Sequence, residues 1–296
     1  MPIYLNIVHG ADYVLTFCLI GFMTFYYFIL PAGEKKALDI FEDWTKTLRN
    51  MLSAVLIISV LWMILIAQEM AETWDPSEIW NAFTMTHFGH VWSVKIIVLI
   101  VALIFIRKLK NNNFGRLLTF VFAVSFALFS AFTGHAYSIE SNQALRFAAD
   151  LVHLISVGVW SGGLFALFIW LDRRIKSLKD NSETSFNLVT RFSHFAMAAT
   201  GGILVSGTLM AYLSSIEISH PFKSLYGRLV FAKLILFFLT LGIAAINQFV
   251  HLRNGKHAEE KKFAINIRRE VSFEMLFVLS VFIIAGFLSR TDLPMP

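Results

Sequence analysis

The sequence predicts an all-α polytopic membrane protein, with eight transmembrane helices in two parallel four-helix repeats and both termini outside. Three observations carry this reading. The chain has 296 residues, of which 57% are hydrophobic and only 15% charged, against about 25% charged in soluble globular domains. Its mean hydropathy of +0.66 is too apolar for a water-facing surface. Basic residues gather in alternate loops, and short segments of the first half recur in the second. A spanning helix takes roughly 20 apolar residues, so eight spans and their loops fill the length and leave no room for a separate soluble domain.

The apolar stretches run, in order, Tyr4–Leu30, Leu48–Gln68, His90–Ile106, Leu117–Tyr137, Phe147–Trp170, Phe192–Leu213, Leu229–Val250 and Val271–Leu288. None alternates polar with apolar residues as a lipid-facing barrel strand does. Helices, which satisfy their own backbone hydrogen bonds in lipid, are therefore expected. The six prolines fall at span ends or in loops. The first span lacks a basic start and a small-residue cleavage site, so it is read as a span rather than a signal peptide. The thirty Phe and seven Trp suit lipid-facing and interfacial surfaces. Membrane lipid is thus an expected partner. Nucleic acid is not, because the net charge of +5 resides in short loops between apolar runs.

Those loops set the expected orientation. The loops after spans one, three, five and seven hold nineteen of the 25 basic residues, from Lys35 and Lys36 through Arg107 and Lys108 to Arg268 and Arg269. The loop between spans two and three has none and carries Glu69, Glu72, Asp75 and Glu78 instead. The excess of Lys and Arg on the cytoplasmic side of membrane proteins then places both termini outside and the four basic loops in the cytoplasm.

The repeat is read from matched segments. Thr86-His-Phe-Gly-His-Val-Trp-Ser-Val-Lys95 opens span three, and Ser224-Leu-Tyr-Gly-Arg-Leu-Val-Phe-Ala-Lys233 opens span seven. A hydroxyl residue, an aromatic, a glycine and a lysine share one spacing. Val8-His9 and Val152-His153 correspond in spans one and five. Residues 1–140 and 146–296 are therefore taken as the two repeats of one integrated membrane domain. Four spans per half give both halves the same membrane sense, related by an axis along the membrane normal.

Ionisable groups inside spans are costly and mark functional positions. His9, His135 and His153 fall toward the outer ends of spans one, four and five, and are taken as a candidate ligand cluster. His87 and His90, spaced i, i+3, lie at the outer mouth of span three beside Met85 and form a second, exchangeable ligand group. Imidazole with thioether sulfur suits copper, whereas Mg, Ca and Mn prefer carboxylate oxygen. Imidazole alone also suits zinc or the axial positions of a haem. Asp12 and Asp150, each three residues from a histidine, are expected to accept the free ring N–H and so orient it. Asp150 also reads as a helix-start acid. Lys95 and Lys233, at matched depths, are assigned a structural pairing role at the repeat interface. The single Cys18 excludes an internal disulfide and any Cys-based zinc or iron–sulfur site. No phosphate-binding glycine loop, nucleophile elbow or His-Glu-x-x-His is present.

Several of these segments resemble the copper resistance D (CopD) family of bacterial membrane proteins. They are Leu151-Val-His-Leu-Ile-Ser-Val-Gly-Val-Trp-Ser-Gly-Gly-Leu164, Thr133-Gly-His-Ala136, Arg191-Phe-Ser-His-Phe195, Ser224-Leu-Tyr-Gly-Arg-Leu229 and Arg268-Arg269-Glu270. The resemblance covers nearly the whole chain. It implies an eight-helix inner-membrane protein of copper handling, with a periplasmic CopC-type copper chaperone as a separate partner. It assigns His9, His135 and His153 to the family pattern, while His194 and His90 stand where the family often has arginine. The expected function is copper binding and passage from periplasm toward cytoplasm, a transporter-like role rather than an enzymatic one. The alternative is a b-type haem oxidoreductase, oxidising a quinol or cuprous ion through the same histidines. A membrane anchor for the chaperone is the third reading.

Overall fold

The computed structural model describes residues 3–31, 40–106, 113–133, 142–177, 184–213, 222, 224–246, 260–288 and 291. Among them there is no strand, and eight helices are long and apolar enough to cross a membrane. The spans are Tyr4–Ile29, Trp44–Ala71, His87–Phe105, Asn113–Phe132, Gln143–Lys176, Ser185–Leu213, Leu225–Ile246 and Lys261–Leu288. Several outrun the apolar stretches at the ends that carry basic residues. Hydropathy marks the hydrocarbon layer, while backbone hydrogen bonding continues into the headgroup region.

Large apolar side chains lie uncovered on the outer spans, among them Ile57, Ile97, Phe120, Val205, Phe238 and Ile283. A contiguous belt of this kind is normal only where lipid covers it. Serine and threonine hydroxyls within the spans donate to carbonyls one turn earlier, as Thr24 does to Ile20 and Thr240 to Leu236. This keeps them from facing hydrocarbon unpaired.

Spans one and five form the centre. Their apolar windows are 67% and 61% buried, against 11% for span seven at the periphery. Span one packs on spans two, four, five and eight, while span five packs on spans six, eight, one and four. The neighbour sets therefore interchange when the two halves are exchanged. Where the two central spans cross, backbone meets backbone. A Cβ built on Gly162 would lie 2.9 Å from the Gly21 Cα, and one on Gly158 2.8 Å from Ile20 Cγ2. The same stretch, Gly158–Gly162, is wound as a π-helix, and span one ends in a second π-helical turn at Phe25–Ile29. Such widened turns are frequent at functional positions. Neither is signalled by hydrophobic periodicity.

The C-terminal part of span one is enclosed by the main core, where Phe22 stacks on Trp44 at 3.9 Å and Tyr26 on Trp44 at 5.2 Å. A smaller cluster of Leu5, Trp62 and Trp92 lies toward its N-terminal end. The acidic loop holds an unexpected helix, Pro76–Thr84, started by Asp75, whose carboxylate accepts the Ser77 backbone N–H at 2.8 Å. It has no buried residues, and Trp74 and Trp80 are exposed. It ends at Met85, one residue before Thr86 caps span three.

Candidate functional site

Span three begins at a tight corner. The Thr86 hydroxyl accepts the Gly89 N–H at 3.0 Å, and a Cβ on Gly89 would overlap the Phe83 carbonyl of the preceding short helix. Span seven repeats the cap, with Ser224 accepting the Gly227 N–H at 3.0 Å. The cap fixes where each span starts, and so the depth of the lysine nine residues on.

Lys95 is consequently buried, and it meets Asp12 of span one. Its Nζ lies 2.7 Å from Oδ2 and 2.9 Å from Oδ1, and the Ser59 hydroxyl of span two donates to Oδ1 at 2.5 Å. Both charged side chains are at most 3% exposed. The ammonium also lies 4.0 Å from the centroid of the Trp92 ring, a favourable cation–π placement. Asp12, Lys95 and Trp92 line a narrow cleft between spans one, three and four, together with His9, Tyr13, Ser130 and Thr133. His9 stacks flat on Trp62, with centroids 4.3 Å apart and planes 3° from parallel.

Asp12, expected to orient His9, accepts from Lys95 and from Ser59. Lys95, expected to pair at the repeat interface, meets this carboxylate of span one. The helix-face argument does not decide which neighbouring helix each residue will meet.

The second half holds a related group. His153 is buried and its Nδ1 lies 3.2 Å from the Ser206 Oγ of span six. Ser206 donates its own hydrogen to the Gly202 carbonyl at 2.5 Å. It therefore accepts from Nδ1–H, and the lone pair is left on Nε2. Asp150 and Lys233 lie within electrostatic reach of one another, and Lys233 also acts on His153. Among the described residues no hydrogen bond or ion pair joins Asp150 to His153, so Ser206 stands where that carboxylate was expected.

His87, His90 and Met85 are exposed at the junction of the short helix and span three. The His90 Nε2 donates to the Thr84 carbonyl at 2.7 Å, leaving Nδ1 as that ring's acceptor. His135 lies outside the described residues; Thr133, two positions earlier, lines the cleft. Among the described residues no three His, Cys, Asp or Glu side chains are gathered closely enough to hold a metal ion. Sequence reasoning missed Ser59, Trp62 and Ser206. A hydroxyl or an indole in an apolar span carries no signal until its neighbour is known.

The fold and the buried charges define a polytopic helical membrane protein with an ionised cleft inside its spans. The family profile described as "Copper resistance protein D-like, N-terminal domain" matches residues 3–144, and that described as "Copper resistance protein D" matches residues 186–288. The chain belongs to the copper resistance protein D family.

It is 26% identical over 284 residues to Copper resistance protein D of Pseudomonas syringae pv. tomato, covering 90% of each chain. It is 28% identical over 227 residues to Copper transport protein CutJ of Bacillus subtilis (strain 168), covering 75% of this chain and 40% of that one. It is 29% identical over 184 residues to Inner membrane protein YebZ of Escherichia coli (strain K12), covering 62% and 61%. The matches thus span less than two thirds of the latter two relatives. No solved structure matches the chain.

Proposed function

We propose that the chain binds copper at the periplasmic side of a bacterial inner membrane and passes it toward the cytoplasm. The observation that carries this is the cleft. An imidazole, a carboxylate, an ammonium and three hydroxyl residues line it inside the spans of a chain from a copper resistance family. Groups of this kind are costly in hydrocarbon and mark ion pathways. His9 and His153 are the deep ligands, with His135 as the third. Met85, His87 and His90 form the mouth, where weak, exchangeable ligands let an ion move on. The acids of the preceding loop attract cations to it.

The orientation follows from the basic loops, with both termini periplasmic. The interchange of helix neighbours supports two parallel repeats, residues 1–140 and 146–296. A separate CopC-type copper chaperone is the natural donor at the mouth. The aromatic packing around Phe22 and Trp44 encloses the C-terminal end of span one, so passage along that span requires this packing to shift.

Copper bound per chain, measured on purified protein with its optical spectrum, tests the reading. Wild type is expected to bind copper without an intense Soret band, and His153→Ala to lose it. A Soret band, or copper retained equally in His9→Ala and His153→Ala, overturns the proposal.

A further inference from the structure

Lys95 has no part in copper binding as described so far, yet it occupies the carboxylate that shares a cleft with His9. We infer that Lys95 is a tethered cation that holds Asp12 until an incoming cupric ion takes its place, making the cleft a cation-exchange site. The inference rests on the copper-binding reading above and adds to it a direct ligand, an oxidation state and a release device.

Asp12 offers both oxygens to one ammonium, at 2.7 and 2.9 Å, in a setting where both side chains are nearly fully buried. A buried pair of this kind adds little stability, because desolvation of the two ions offsets their attraction. Its use is better sought in what the carboxylate does when the lysine leaves. Without a counterion a buried carboxylate is strongly unfavourable, so the resident lysine keeps the site neutral between ions.

The neighbourhood is arranged for the exchange. The Trp92 face, 4.0 Å from Nζ, already supplies a second berth for the ammonium. His9 stands one turn before Asp12 on the same cleft. Ser130 and Thr133 donate their hydrogens to main-chain carbonyls of span four, so their cleft-lining oxygens are left as acceptors. The donor set is nitrogen and oxygen with no sulfur. That suits Cu(II) in a tetragonal site, whereas Cu(I) is selected by thiolate and thioether. Return of Lys95 to Asp12 then expels the ion, keeping binding weak enough for passage. The first half is the one poised in this way: in the second, Asp150 and Lys233 feel each other's charge without the direct contact that joins Asp12 to Lys95.

The test is a Cu(II) titration of the full chain in detergent, with glycine as competing ligand and the copper EPR spectrum as readout. Lys95→Met and Lys95→Gln should each bind Cu(II) at least tenfold more tightly than wild type. Lys95→Arg, which keeps the charge and can hold both Asp12 oxygens with its fork of donors, should bind no more tightly than wild type. Asp12→Asn should weaken binding, and the Asp12→Asn/Lys95→Met double variant, with no buried charge to disturb folding, should bind no better than Asp12→Asn. Wild type that binds copper through His9 while folded Lys95→Met or Lys95→Gln binds no tighter overturns the exchange and leaves the copper-binding reading standing. No copper bound by wild type or by either neutral variant overturns both. A double variant that binds as tightly as Lys95→Met removes Asp12 from the site and also overturns the inference.

Discussion

Adding one methyl group at Gly21 tests whether the crossing of spans one and five holds the two halves together. A Cβ there would overlap the backbone of Gly158, Gly162 and Gly163, and the reciprocal Cβ on Gly162 would sit 2.9 Å from the Gly21 Cα. All of these obstacles are main chain, so no rotamer change relieves them. The helices must part by about 1 Å to restore ordinary contact distances. A gap of that size forfeits roughly a quarter to a half of each affected dispersion contact. Phe17 and Ile20, both buried at this crossing, bear the loss. Gly21→Ala should therefore destabilise by about 3 kcal/mol, the upper end of typical overpacking costs. Gly201 and Gly242 are helical glycines whose added Cβ meets nothing within 4 Å. Alanine at either should be neutral or stabilising by about 0.5 kcal/mol through lower backbone entropy. Thermal unfolding of the four purified proteins in one detergent makes the comparison. If Gly21→Ala melts with Gly201→Ala and Gly242→Ala, the close crossing is not what joins the halves.

Three further outcomes follow from the structure. Asp12→Asn leaves the Lys95 ammonium buried without its carboxylate and should cost about 3–5 kcal/mol, most of it recovered in Asp12→Asn/Lys95→Met; equal melting temperatures for the single and double variants would contradict this. The Ser77 hydroxyl and backbone N–H hold the Asp75 carboxyl below its ordinary range, so the cap of the short outer helix is intact above that range and is lost as pH falls through the lowered value. Amide hydrogen exchange at Ser77 reads this directly, its protection declining with acid in wild type and staying low throughout in Asp75→Ala. The His87→Ala/His90→Ala variant should slow copper uptake at low supply while leaving the deep copper in place, whereas His153→Ala should lose it; loss of deep copper in both would make the mouth residues primary ligands.

What could be read without coordinates is tied to the solvent. Eight spans were legible because hydrocarbon admits only long apolar helices. The depth of Lys95 and Lys233 was legible because one hydroxyl-capped start repeats before each. Span ends were less so, since helices such as Lys261–Leu288 continue past the apolar stretch on charged residues that hydropathy excludes. The Pro76–Thr84 helix was hidden in an acidic loop for the same reason. Its Asp75-Pro76-Ser77 start carried a capping signal that a search for membrane spans does not weigh.

The sequence by itself determined which segments are long and apolar enough to cross a membrane, because insertion energy depends on side-chain type along one helix. It could name His9, Asp12 and Lys95 as residues requiring compensation. Only the tertiary structure decided that Asp12 meets Lys95, that His153 meets Ser206, and that Gly21 meets Gly162. Those choices depend on how two helices rotate and approach within a few tenths of an ångström. Lipid applies the same apolar environment to every face of a helix, so nothing in the hydropathy of one span specifies which face its neighbour will meet.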